Sequence, residues 1–127
     1  MTSQHTNQLL ALRPIILTEP AESVAEKFQN QTLRPILKLQ NGLLLKAFRN
    51  YVKKHKNVFE KLSPQEREKY ITHALTQDLI FRHFIRGIIA GHFTHDEWTI
   101  FEIHEEEINK RMIALAKQRL ISQIMEI

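Results

Sequence analysis

Residues 63–97, SPQEREKYITHALTQDLIFRHFIRGIIAGHFTHDE, open and close on the same device. Ser63-Pro64-Gln65-Glu66 offers a capping Ser, a Pro at the first helical position and a Glu three residues on that reaches back to the cap. Thr94-His95-Asp96-Glu97 repeats the box without the Pro. No Pro follows Pro64, so the helix opened at Thr94 meets no breaker before Met125. The helix opened at Ser63 either runs through to His92 or restarts at Thr76. Positions 79–93 are apolar on almost every side, which predicts the central helix of the fold.

Upstream, Thr18-Glu19-Pro20 reads as a further helix start, with Ala21, Val24, Ala25 and Phe28 spaced as one buried face. Thr32 reads as the next cap, with Pro35 in the first turn of a helix running to about Lys56. One helix kinked at Pro35 is the alternative. Residues 1–8 are polar and read as loose, and Leu9–Leu17 as an extended apolar arm, because Arg13 precedes Pro14. The expectation is an all-α bundle of about four helices over 18–127, with a flexible, extended N-terminal arm over 1–17, helix on roughly two-thirds of the chain or more, and no sheet.

Composition agrees with one domain. Of 127 residues 43% are hydrophobic and 25% charged, and a chain of this length buries roughly two-thirds of its unfolded surface without staples. With no Cys there is no disulfide, thiolate nucleophile or Cys-based zinc site. Apolar runs such as Ile85–Phe93 fall far short of the roughly 18–20 residues that cross a bilayer. The first residues lack the basic start and cleavage site of a signal peptide, so a cytoplasmic location without membrane partners is expected.

Charge is unevenly placed. Arg34 to Lys61 holds eight basic residues against one acid, Glu60, although the whole chain carries only +4. On a continuous helix Lys38, Lys46, Arg49, Lys53 and Lys56 share an arc of about 80°. Asp96, Glu97, Glu102, Glu105, Glu106 and Glu107 follow without an intervening Lys or Arg. The basic stripe reads as a solvated face, as a surface for nucleic acid or another polyanion, or as the counterpart of the acidic segment within the chain or across a dimer. It carries no nucleic-acid motif and no aromatic platform.

Candidates for chemistry are few. A His92, His95 and His104 metal cluster is geometrically conceivable, but neither HExxH nor a paired ExxH is present. Ser3, Ser23, Ser63 and Ser122 lie in no nucleophile elbow, and three Gly build no phosphate loop. No catalytic residue, metal or cofactor is predicted. Asp78, Arg82 and Arg86 stand at i, i+4 and i+8, the favourable acid-first order, and with His83 form a candidate polar or ligand site. Gly87 and Gly91, four apart, predict a close helix–helix approach.

The strings FQNQTLRPILKLQNGLLLKAFRNYVKKHKNVF (28–59) and FRHFIRGIIAGHFTHDE (81–97) resemble a group of short uncharacterised bacterial proteins, some automatically labelled "glyoxalase". The resemblance spans most of 20–120, the first string being the more specific. It implies no catalytic residues: glyoxalases are βαβββ modules with His, Gln and Glu ligands on strands, and this sequence offers neither the strands nor a matching set.

Two stripes on the last helix point to self-association. Phe101, His104, Ile108, Met112 and Leu115 form one, while Ile113, Ala116, Leu120, Ile124 and Ile127 form another about 100–120° away. Ile113, Leu120, Ile124 and Ile127 are the predicted homodimer seam. The favoured function is a non-catalytic interaction or regulatory protein, homodimeric and with a further protein partner. The alternatives are a sequence-indifferent polyanion binder through Lys38–Lys56 and a small helical ligand-binder or enzyme around Arg82 and Arg86. Five phosphate contacts on duplex DNA give an expected slope of log K against log salt of about −4.5. Fluorescence anisotropy measures it, and Lys53→Glu with Lys56→Glu is expected to weaken binding strongly.

Overall fold

Both capping boxes form in the structure, a computed structural model that describes residues 3–17, 20–124 and 127. The Glu66 N–H donates to Ser63 Oγ at 3.2 Å while the Ser63 N–H donates to Glu66 Oε1 at 3.0 Å. The Glu97 N–H donates to Thr94 Oγ1 at 3.2 Å, and the Thr94 N–H to Glu97 Oε1 at 2.9 Å. Helix covers 79% of the described residues, and none of them forms a strand. The order is α1 (Gln4–Leu12), α2 (Val24–Phe28), α3 (Arg34–Leu39), α4 (Asn41–Lys54), α5 (Pro64–Thr76), α6 (Leu79–Ala90), α7 (His95–Ile103) and α8 (Glu105–Ser122). A π-turn over Gln29–Leu33 joins α2 to α3, and a 3₁₀ turn over Val58–Lys61 precedes α5.

The N-terminal segment differs from the loose, extended arm expected. Ser3 caps α1 by accepting the Thr6 N–H at 3.1 Å, and extended backbone begins only at Arg13, next to Pro14. No residue of α1 is buried; the segment is held instead by Arg13. Its Nη1 and Nη2 donate to the two Glu97 oxygens at 2.7 Å each, and Nη2 also donates to the His92 carbonyl at 2.6 Å. The pair is largely buried, with side chains 6% and 14% exposed.

The second helix starts at Val24, not near Pro20, because Ser23 supplies the cap by accepting the Glu26 N–H at 3.1 Å. Thr18 and Glu19 lie outside the described residues. Ala25 and Phe28 are buried as their spacing predicts, while Ala21 and Val24, before and at the first turn, are exposed. At Pro35 the chain neither restarts nor breaks. Pro has no N–H and its ring presses on the preceding turn, and the helix widens by one residue there, the Arg34 N–H donating to the Gln29 carbonyl. Thr32 is therefore not a cap; its hydroxyl points inward and donates to Glu97 Oε2 at 2.9 Å.

The helix bends at Gln40 and α4 stops at Lys54. Lys56 and Asn57 then take left-handed conformations, φ 65° and 56°, and the Asn57 N–H returns to the Val52 carbonyl at 3.0 Å. Asn tolerates this region better than most residues.

The central helix is α8. It touches α2 through α7 and the π-turn. Its buried residues, Ile108, Met112, Ile113, Leu115, Ala116 and Leu120, span an arc of about 160°. The two stripes read from sequence are therefore one broad face covered by the chain's own helices. Ile113 and Leu120 are buried, and Ile124 and Ile127 pack against the core. The expected dimer seam is thus internal. It looked uncovered because little sequence follows it, whereas the cover comes from earlier helices. Asn41 and Gln123 fasten that end with reciprocal amide bonds of 2.8 and 2.7 Å. The chain also breaks at His104, so α7 and α8 are two helices; Glu105, Glu106 and Glu107 suit the N-terminus that the break creates.

By contrast α6 buries only Phe81, Ile85 and Ile89 fully and is not central. Gly87 faces open space with nothing within 4 Å of an added Cβ, and the nearest atom to one at Gly91 is the Gly87 carbonyl of the same helix at 3.1 Å. Among the described residues, no other helix comes within 4 Å of an added Cβ at either position.

Two stability outcomes follow from this packing. Leu120→Glu places a charge in the core and is expected to unfold the monomer, read as a lost cooperative melt by circular dichroism. Arg13→Ala strands a buried carboxylate and is expected to cost about 3–5 kcal/mol in urea denaturation at pH 7. Burial pushes the Glu97 carboxyl up, but hydrogen bonds from Arg13, the Thr94 N–H and Thr32, with the Arg13 charge, outweigh it and hold Glu97 below the usual range. Its stabilisation is therefore present above about pH 4.3 and is lost as pH falls through the lower folded value. The gap between wild type and Glu97→Gln is expected to narrow at pH 3.

Candidate interaction surface

The basic stripe is exposed but broken. Lys38 sits on α3, beyond the Gln40 bend from the rest, and Lys56 lies past the end of α4 in the left-handed turn. Lys46, Arg49 and Lys53 stay together on the outer side of α4, within an arc of about 60°. A single 80° arc requires a straight helix from 34 to 56, which the bend denies.

The Asp78–Arg82–Arg86 ladder does not form among the described residues. Asp78 is the cap of α6: Oδ1 accepts the Phe81 N–H at 3.2 Å and Oδ2 the Tyr51 hydroxyl at 3.0 Å. The Phe81 N–H foremost, with the Tyr51 hydroxyl and the charge of His55, outweighs desolvation and holds the Asp78 carboxyl below its ordinary range. Burial, the bond to Asp78 and its charge push the Tyr51 hydroxyl far up. A phenol in that state keeps its proton at neutral pH, and its bond to Asp78 fastens α4 to α6. His55, stacked on Tyr51 with ring centres 4.0 Å apart, completes this corner. Nothing in the sequence linked Tyr51 or His55 to Asp78, since the pairing is set by how α4 crosses α6.

Arg86 and His83 face the other side of α6, in a cleft of about 220 Å³ shared with Trp98, Glu105 and Asn109. Arg86 Nη1 lies 3.5 Å from His83 Nδ1. Burial, then the neighbouring charge of Arg82, lowers the Arg86 pKa, against the opposing pull of Glu105. The cleft is smaller than the roughly 300–1,000 Å³ of ordinary ligand sites, and Asp78 is not part of it. No group of three or more metal-ligating side chains occurs among the described residues. His92 accepts from the Gln40 amide at 2.5 Å on Nε2, and burial, then the Arg13 charge, keeps it neutral by lowering its pKa.

Besides Ile15, Leu17 and Ile103, the apolar side chains that the fold leaves most exposed lie on the outer face of α6. Ile80 is 86% exposed and Phe84, one turn on, 57% exposed, with Leu79 beside them. Ile80 and Phe84 border a cleft of about 340 Å³ between α4 and α6, lined also by Ala47, Asn50, Tyr51 and Lys54. On the opposite flank of α6, α7 presents half-exposed Trp98, whose Nε1 donates to Glu102 Oε1 at 2.6 Å. The all-round apolar pattern of 79–93 had signalled burial; a helix at the rim shows one such side outward instead.

No helix among the described residues is long and apolar enough to cross a membrane. No protein-family model, curated protein or solved structure matches the chain, so its surface is read from its own residues.

Proposed function

We propose that this chain is a non-catalytic helical interaction protein whose working surface is the outer face of α6, with a second copy and a further protein as partners. The observation that carries this is the exposed pair Ile80 and Phe84 beside the α4/α6 cleft. Full burial of two such side chains is worth roughly 1.5–3 kcal/mol each, which a partner supplies and water does not. Exposed apolar patches flanked by polar residues mark such surfaces. In this account α4, α5, α6 and α8 act as a four-helix frame, and the segment up to Leu17 is an arm latched to it through Arg13. A cytoplasmic setting fits a chain without Cys.

The exposed arc of Lys46, Arg49 and Lys53 favours a second reading, a polyanion surface on α4. With three contacts in line instead of five, the salt slope on duplex DNA becomes about −2.7. Absence of binding to DNA or RNA at low salt removes it.

A photo-cross-linking side chain placed at position 84 in cells tests the main proposal. A protein adduct is expected from position 84 and not from exposed Glu68 on α5, and no adduct from 84 overturns it. Ile80→Glu with Phe84→Glu is expected to abolish partner contact while leaving the melting temperature close to wild type, because neither side chain is in the core. A drop as large as that of a core truncation would mean that these residues serve the fold instead.

A further inference from the structure

The outer face of α6 carries opposite charge on its two flanks, and we propose that it is the isologous interface of a homodimer, the basic α4 flank of one copy meeting the acidic α7–α8 flank of the other. The inference deepens, and depends on, the assignment of α6 as the working face. On one side of the Ile80–Phe84 ridge, Lys54 borders the cleft and Lys46 stands two turns back along α4, both exposed, while Asp78 in the same cleft is engaged by the Tyr51 hydroxyl and the Phe81 N–H. On the other side Glu102 and Glu105 are exposed around Trp98 and outnumber Arg86, the cation that shares the cleft with Trp98 and Glu105. Gly87 lies between the flanks, where an added Cβ meets nothing within 4 Å, so a second helix backbone has room to approach.

A face with this layout is complementary to itself. In face-to-face pairing, a two-fold axis along α6 sets the two α6 helices side by side and parallel, and lays each basic flank on the partner's acidic one. The other in-plane two-fold lays basic on basic and acidic on acidic, which like-charge repulsion opposes. The charges therefore select a second copy in the parallel arrangement. A standard interface of about 800 Å² per partner is about a tenth of the 8229 Å² surface of the chain, within reach of α6 and its two flanks.

Two charge-reversal variants decide it by sedimentation equilibrium on the purified full chain, with circular dichroism confirming that each is folded. Lys46→Glu with Lys54→Glu, and separately Glu102→Lys with Glu105→Lys, are each expected to be monomeric where wild type is a dimer. Mixed at equal concentration, they are expected to form a heterodimer, because every reversed contact is then complementary again. Wild type remaining monomeric at several hundred micromolar overturns the homodimer. A position-84 adduct with a different protein would then still uphold the working face. A wild-type dimer that neither variant weakens, or whose variants fail to recombine, places self-association elsewhere and also overturns the proposal.

Discussion

The Glu97 carboxylate is the point at which the separate segments of this protein are tied together. A buried charge is costly unless it is paired and its lone pairs are filled. Here one carboxylate accepts from Arg13 at the end of α1, from Thr32 in the π-turn and from the Thr94 N–H at the start of α7. It is at once the closing residue of a capping box, three after Thr94, and the anchor of the N-terminal segment. Arg13 in turn closes on the His92 carbonyl at the end of α6, and His92 receives Gln40 from the α3–α4 bend. This polar knot lies beside the Phe28–Phe93 edge-to-face pair, ring centres 5.3 Å apart, so the same contact region is fixed by direction-dependent bonds and by packing.

With that corner fixed, α8 takes the centre and α6 the rim. The arc of about 160° that α8 buries absorbs cover from six other helices. A second aromatic group closes the opposite end: Phe48 meets Phe59 and Phe59 meets Tyr70, each with ring centres 5.2 Å apart. Arg67 lies 4.7 Å over the Phe59 ring and donates to the Ile124 carbonyl, which draws the end of the chain onto α5. Once α8 has taken the cover, Ile80 and Phe84 keep most of their apolar surface uncovered by the other described residues. The proposed function follows from that surplus.

Local chemistry was legible in several places where the determining residues are three or four apart. The boxes at Ser63 and Thr94, the burial of Ala25 and Phe28, and the all-helical class depend on contacts within one or two turns, and they are written in the order of residues. Ser23, three residues before Glu26, carries the same local signal and caps α2, whereas Pro20 opens no helix. The break at Gln40 had only Gly42 as a nearby sign, and the stop at Lys54 only Asn57.

By itself, then, the sequence determined the helical class, the starts of α5 and α7, the unequal placement of basic and acidic residues, and the lack of thiol chemistry. Tertiary structure alone decided which apolar helix lies at the centre, because α6 and α8 both carry enough apolar residues and only the neighbours' positions choose between them. It also decided that Leu120 serves the core, that Asp78 binds Tyr51 and not Arg82, and that Glu97 holds the N-terminal segment. These contacts join residues from 27 to 84 positions apart. Periodicity, which reports one helix at a time, carries no information about partners at such separations.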